Sequence, residues 1–427
     1  MKSARFPERR LLVLVGLLFF AAANTALADV REKDLSWQHH IEEAIDTIVA
    51  AYQQKNGLPA ISVAVVRNGQ MFYRKGFGWA DVEEKKPAHA RTVYSIGSVS
   101  KPLAAALAVK LEEEGHLQDG TPVSLDLSRP TSAYLTDIPA AGGLGKATLP
   151  AFHVHTVDQL LSHTGCVADF PDKTTPGIAN RTTHYSTAIE AVQSIWDTGL
   201  VTKMSNAGLD GKPNDGPCVV GKTWSYSTPA FTFVAAVLES ATGRPIAKLL
   251  REELFVPYGL TGMRMKYATP MLVTDENRAT PYDKDNHRTT YENDSWRALG
   301  GGLESNAMDL ARFGSMVLNA EIISARARDN RLWRQVAVTN PGPGYALGWG
   351  ITTDAHSRRI AEHPGMATGG RALLRIYRDE GLVIAIVSNR REHPVDDVPV
   401  LAERIGEKIL GMCAEEDCSI KWREAVL

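Results

Sequence analysis

Ser98-Val99-Ser100-Lys101, followed by Pro102 to Gly115 (PLAAALAVKLEEEG), is the stretch on which the reading of this chain turns. Nowhere else is a serine followed three residues later by a lysine. The residues after it read as an amphipathic helix with small and aliphatic positions inward. Serine and lysine at i and i+3 share one helical face. A lysine held beside a serine hydroxyl in a dry site can lose its proton and then accept the serine's. Ser98 is therefore a candidate nucleophile, with its base one turn away. Such a pair also arises on solvent-facing helices, so its weight depends on what the rest of the chain supplies.

The chain has 427 residues, 44% hydrophobic and 22% charged, which is ordinary globular chemistry. A formal net charge of −2 gives no field to draw nucleic acid or an acidic membrane. A small-molecule or peptide partner fits better. Nothing in the sequence calls for a cofactor or a metal, and nothing sets the oligomeric state. Lys2, Arg5, Arg9 and Arg10 precede an apolar run, Leu11 to Ala23, that is short for a membrane span. Ala26-Leu27-Ala28 offers a small-x-small cleavage site, so residues 1–28 read as a signal peptide of a periplasmic or secreted protein. No later segment is apolar enough to span a bilayer. In an oxidising compartment the four cysteines become disulfide candidates. Cys413 and Cys418 could close a local loop, which leaves Cys166 with Cys218; free buried thiols are the alternative.

Helical spacing covers Leu35 to Gln54, with Ser36 as a candidate cap. Ile61 to Arg67 and Gln70 to Gly76 read as strands joined at Asn68-Gly69, a hairpin signal. The middle of the chain reads as helices at 158–162, 187–196, 230–240, 246–254 and 306–318. Strands return at 347–351, 358–363, 373–378 and 382–388, and a helix over 399–410 closes the chain. This predicts an α+β fold: an antiparallel sheet flanked by helices and built from both chain ends, with a mostly helical second lobe. The boundaries are 29–120 and 325–412 for the sheet lobe, 121–324 for the helical lobe and 413–427 for a C-terminal tail. A cleft between lobes suits a ligand.

Two further motifs raise the value of Ser98. Tyr226-Ser227-Thr228 stands at a loop-to-helix junction, where a phenol near a lysine would have a lowered pKa and serve as a base. His363-Pro364-Gly365-Met366 ends a predicted strand, where a glycine lets the backbone approach a substrate and present amides to an oxyanion. In this order the three motifs resemble the serine β-lactamase and penicillin-binding protein superfamily, in its class C and D,D-peptidase-like branch. Flanking text is similar too: Tyr94 to Gly97, Leu160-Leu161-Ser162-His163-Thr164-Gly165, Gly301-Gly302-Leu303 and Leu347-Gly348-Trp349. The resemblance runs from about Gly57 to Asn389.

The resemblance implies that Ser98 forms an acyl-enzyme and that Lys101 takes or relays its proton. Tyr226 would act as base, and the amides of Ser98 and Met366 would form the oxyanion hole. His363, Gly365 and Thr228 would line the substrate. It implies an exported serine hydrolase of amides or esters, a peptidase or esterase; a genuine β-lactamase or a non-catalytic penicillin-binding-type protein are the alternatives. Three positions depart from the pattern. Pro364 offers neither hydroxyl nor N–H, His363 replaces a lysine, and Thr228 replaces an asparagine. The first two weaken the expected grip on a β-lactam carboxylate, and the third gives a shorter reach to the substrate amide. A metallohydrolase built on His153, His155 and Asp158 lacks a second ligand cluster. An α/β-hydrolase lacks its glycine-x-serine-x-glycine elbow.

Overall fold

The structure is a computed structural model that describes residues 37–136, 155–167, 169, 184–193, 217–266, 277–340, 344–395 and 397–415. The segment read as a signal peptide, His153, the side chain of Cys413, and Cys418 lie outside the described residues. Two compact units are present, one of residues 1–51 with 404–427 and the other of residues 52–403. The first is helical where it is described.

In chain order the strands are β1 (Ala60–Arg67), β2 (Gln70–Asp81), β3 (Lys86–Pro87), β4 (Tyr94–Ser95), β5 (Arg264–Met265), β6 (Leu303–Ser305), β7 (Gly350–Thr353), β8 (Arg359–Ala367), β9 (Gly370–Tyr377) and β10 (Leu382–Ser388). The helices are α1 (37–56), α2 (Ser100–Glu114), α3 (Val157–Leu161), α4 (Ala188–Gln193), α5 (Thr228–Thr242), α6 (Ile246–Leu250), α7 (Ala298–Gly301), α8 (Ala307–Leu318), α9 (Ala325–Ala327) and α10 (Val398–Glu415). The fold is α+β, with one seven-stranded antiparallel sheet in the order β3-β2-β1-β10-β9-β8-β7. A second small sheet, β4-β6-β5, was not anticipated, because its strands are only two or three residues long.

Strands from the two ends of the chain meet at the centre of the large sheet, where β1 pairs with β10 from Ile61↔Ser388 to Arg67↔Leu382. Both are buried along their whole length, which suits their continuous Val, Ile and Ala runs. Asn68 and Gly69 take the positive φ values that the β1–β2 turn requires. Helix α8 packs across β1, β9 and β10. It is capped by Asn306, whose side chain accepts from the Asp309 N–H.

Helix α2 departs from the amphipathic expectation. Ser100 to Leu111 are buried on every side, between α5, α7 and β8. Its alanines are the reason: Ala104, Ala105, Ala106 and Ala108 let neighbours approach from all directions. Total burial forces its lysines into the interior, and Lys110 meets Glu114 at 2.5 Å and Glu253 at 3.6 Å. Lys101 is fully buried as well. The helical reading of 246–254 changes form after Leu250, where residues Arg251–Phe255 continue as a π-helical turn.

Candidate active site

Ser98 stands in a 3₁₀ turn, Gly97–Val99, that leads into α2. Lys101 lies one turn on, and its Nζ donates to Ser98 Oγ at 3.1 Å. Tyr226 comes from the loop before α5, and its hydroxyl donates to the same Oγ at 2.8 Å. A residue one turn away and a residue 128 positions away thus converge on the oxygen of Ser98. Lys101 Nζ also donates to the Gly300 carbonyl at 2.6 Å and to Thr228 Oγ1 at 3.4 Å. The rings of Tyr226 and Phe231 lie 4.7 and 5.3 Å from the same nitrogen.

Burial is the main force on the charges here. It lowers the Lys101 pKa to about 7; Asp169 pulls it back up and Arg297 pushes it further down. Neutral amine is therefore abundant near neutral pH. Tyr226 moves the other way from the expectation. Loss of solvent raises its pKa, the hydrogen bond with Ser98 opposes that, and the Asp169 charge adds to the rise. Tyr226 rests as a neutral phenol. The three donations above are those of the ammonium. The neutral amine keeps two hydrogens for Gly300 and Thr228 and turns its lone pair to the Ser98 hydroxyl, which is the arrangement able to accept a proton.

Strand β8 forms the opposite wall. It was expected to end at His363, yet it continues through Pro364 to Ala367. Its partner β7 stops at the Gly350↔Glu362 pair, so among the described residues no strand pairs with 363–367 on that side. A proline there removes no ladder hydrogen bond. The turn bearing Ser98 packs onto this edge. A Cβ on Gly97, whose φ is +51°, would lie 2.7 Å from the Met366 nitrogen, and one on Gly365 would lie 1.9 Å from the Ile96 carbonyl oxygen. The close approach sets the Met366 amide beside the Ser98 turn. Alternate amides of a strand point the same way, so the Pro364 nitrogen faces that edge too. Met366 is 49% exposed.

His363 was expected to face the substrate as a donor. It is instead 4% exposed, with Nδ1 2.6 Å from the Pro364 carbonyl oxygen and Nε2 2.9 Å from the Tyr345 hydroxyl. Nδ1 therefore carries the proton and Nε2 accepts from Tyr345. Burial, reinforced by the Lys101 charge, lowers the His363 pKa to about 3, so this position is a neutral imidazole. Thr228 sits at the first turn of α5, where its N–H donates to Asp169 Oδ1 at 3.0 Å. Sequence reasoning missed Asp169, Tyr345 and the Gly300 carbonyl. None lies in a motif that states its role; only the fold brings them to the site.

Cys166 and Cys218 are joined by a disulfide. The bond ties the segment just after His163-Thr164-Gly165 to the segment leading into Tyr226. In the metal-ligand alternative, Asp158 is engaged by Arg331 at 3.1 Å. No helix among the described residues is long and apolar enough to cross a membrane.

The sequence model of the Beta-lactamase family matches residues 45–406. The chain belongs to the beta-lactamase family. It is thereby a hydrolase related to the penicillin-binding proteins. It is similar to penicillin-binding protein 4* of Bacillus subtilis (strain 168), at 25% identity over 368 residues that cover 83% of this chain and 72% of the relative. In fold it is similar to an octameric penicillin-binding protein homologue from Pyrococcus abyssi, with a TM-score of 0.66 at 20% identity, covering 86% of this chain and 77% of the other. A D-amino acid amidase from Ochrobactrum anthropi SV3 superposes with a TM-score of 0.65 at 19% identity, covering 87% and 99%.

Proposed function

We propose that this beta-lactamase family member is an exported serine hydrolase that cleaves amides or esters through an acyl-enzyme on Ser98. The observation that carries the reading is the meeting of Lys101 Nζ, at 3.1 Å, and Tyr226 Oη, at 2.8 Å, on Ser98 Oγ. Ser98 Oγ attacks the carbonyl carbon and its proton passes to the neutral Lys101 amine. The carbonyl oxygen gains charge and is received by the amides of Ser98 and Met366; such a donor is worth about 3 kcal/mol in the transition state. The neutral Tyr226 phenol gives its proton to the leaving group and recovers one from Lys101. Water then enters, and the same groups release the acid.

Substrate class follows from what the β8 wall lacks. A carboxylate on the leaving-group side needs a cation or a hydroxyl donor at 363 or 364. His363 is neutral and turned inward, and Pro364 has no donor. The preferred substrates are therefore peptides, amides or esters without a carboxylate handle there, and β-lactams are poor ones. Similarity in fold to a D-amino acid amidase agrees with amide cleavage. Export is supported by the basic and apolar N-terminal sequence and by the Cys166–Cys218 disulfide.

Intact-mass analysis tests the reading. The mature protein is incubated with a fluorophosphonate, a p-nitrophenyl ester, D-aminoacyl amides and a chromogenic cephalosporin. A single adduct on Ser98, absent from Ser98→Ala, is the expected result, with fast turnover of ester or amide and slow turnover of cephalosporin. An unmodified Ser98, or full activity in Ser98→Ala, rejects it. Rapid cephalosporin turnover rejects the substrate assignment.

A further inference from the structure

His163 is a buried imidazole that the mechanism above does not use. It is 1% exposed and sits in the left-handed region, at φ +59°. Its Nδ1 accepts the Ser227 N–H at 3.1 Å, so the ring proton is on Nε2, which is buried with no acceptor among the described residues. Its carbonyl accepts the Ser225 N–H at 2.7 Å. One residue thus bonds the backbone on both sides of Tyr226. Its ring lies against that tyrosine as well, with centroids 4.2 Å apart, and Tyr345 and Phe231 close the other approaches at 4.9 and 5.3 Å.

A residue chosen only to fill this space would be apolar, because a buried donor without a partner is a cost. The cost is borne together with an uncommon backbone angle for a residue of this size. What the imidazole provides in return is a pairing that no aliphatic or phenyl side chain supplies: an acceptor for Ser227 and a flat face for Tyr226. We propose that His163 is a positioning residue, whose Nδ1 and ring hold the Tyr226 phenol on Ser98. The proposal rests on the acyl-enzyme reading of Ser98 and Tyr226. Lysine at this place would have no acceptor, phenylalanine would keep only the face, and asparagine would keep only the acceptor, since its Oδ1 stands where Nδ1 does.

The test compares His163→Asn with His163→Leu, two side chains of similar size that differ in the acceptor, and with His163→Gly. Glycine, like asparagine, accepts the φ of +59° but has no acceptor, so a His163→Gly protein as active as His163→Asn would assign the recovery to the backbone and overturn the proposal. All three are measured in the full mature chain for melting temperature, for the rate of Ser98 phosphonylation by a fluorophosphonate, and for kcat and KM with p-nitrophenyl acetate. His163→Leu is expected to lower kcat and the labelling rate roughly 100-fold, as a misplaced reacting group does, with KM nearly unchanged. His163→Asn is expected to recover at least about 10-fold of that loss. Should His163→Leu not fold, His163→Phe takes its place: it keeps the face and lacks only the acceptor, so a smaller loss of roughly 10-fold is expected, and a His163→Phe protein labelled as fast as wild type overturns the proposal. Equal losses in His163→Asn and His163→Leu, or a His163→Leu protein labelled as fast as wild type, overturn the proposal. A wild-type protein that is not labelled at Ser98 overturns the acyl-enzyme reading beneath it instead.

Discussion

Gly365 and Ile96 stand so close that a Cβ on Gly365 would lie 1.9 Å from the Ile96 carbonyl oxygen. The contact is backbone against backbone, so no side chain can rotate out of the way. It joins β8 to the turn that carries Ser98. Gly365→Ala must push the two apart and separate the amides of Met366 and Ser98. Loss of one oxyanion donor lowers kcat by about 100-fold or more. We expect a loss of that size in kcat/KM for an ester substrate, with the serine still present and the fold intact by circular dichroism. A Gly365→Ala protein of normal activity would show that this edge does not bind the oxyanion.

The Lys101 pKa, lowered to about 7 mainly by burial, fixes the acid side of the pH profile. In the proposed mechanism neutral Lys101 is the competent form, so kcat/KM should fall about tenfold per unit once the pH drops below the pKa. Asp169 raises that pKa, so removing its charge lowers it. Asp169→Asn keeps an oxygen for the Thr228 N–H and should move the acid limb to lower pH. A limb that stays put, or moves to higher pH, would separate Asp169 from the electrostatics of Lys101. Lys101→Met should have no acid limb, because it has almost no activity to titrate.

The Cys166–Cys218 disulfide spans a sequence separation of 52. Closing a loop of that size in the unfolded chain contributes about 4 kcal/mol on the chain-entropy argument. Cys166→Ala/Cys218→Ala should lower the urea midpoint accordingly, and a reductant should affect wild type but not the variant. Matching midpoints for oxidised wild type and the variant would remove the disulfide from the stability account.

Much of this was legible in the sequence where local chemistry and position agree. The Ser98 to Lys101 spacing needs only a helix to bring its ends together. Asn68-Gly69 marks a hairpin through its own turn chemistry. The readings that changed depend on neighbours far away in the chain. Helix α2 has charged residues at its C-terminal end and looks one-sided, but three elements pack around it. Pro364 normally signals the end of a strand, and only the early stop of β7 lets β8 run through it. Tyr226 was expected to have a lowered pKa beside Lys101; the dryness of the site and Asp169 decide the opposite direction. Asp169 and Tyr345 belong to no periodic pattern, so nothing local marks either as a neighbour of the site.

His393 gives a prediction about acid stability that does not involve catalysis. Its Nδ1 lies 2.7 Å from the Tyr52 hydroxyl and its Nε2 lies 2.9 Å from Ser388 Oγ, so it joins Tyr52 to the end of β10. Burial, helped by Arg371 and opposed by Asp397, lowers its pKa from 6.5 to about 4. Between these values the unfolded chain takes up a proton that the folded chain refuses. Stability is therefore present above pH 6.5 and is lost as the pH falls toward 4, at about 1.4 kcal/mol per unit within that window. His163 and His363, also buried and neutral, act in the same direction. Urea midpoints measured from pH 7 to pH 4 should fall steadily. His393→Gln, which can still bond both partners but cannot titrate, should flatten that slope by up to one proton. An unchanged slope in His393→Gln would mean that the acid sensitivity belongs to the other two histidines.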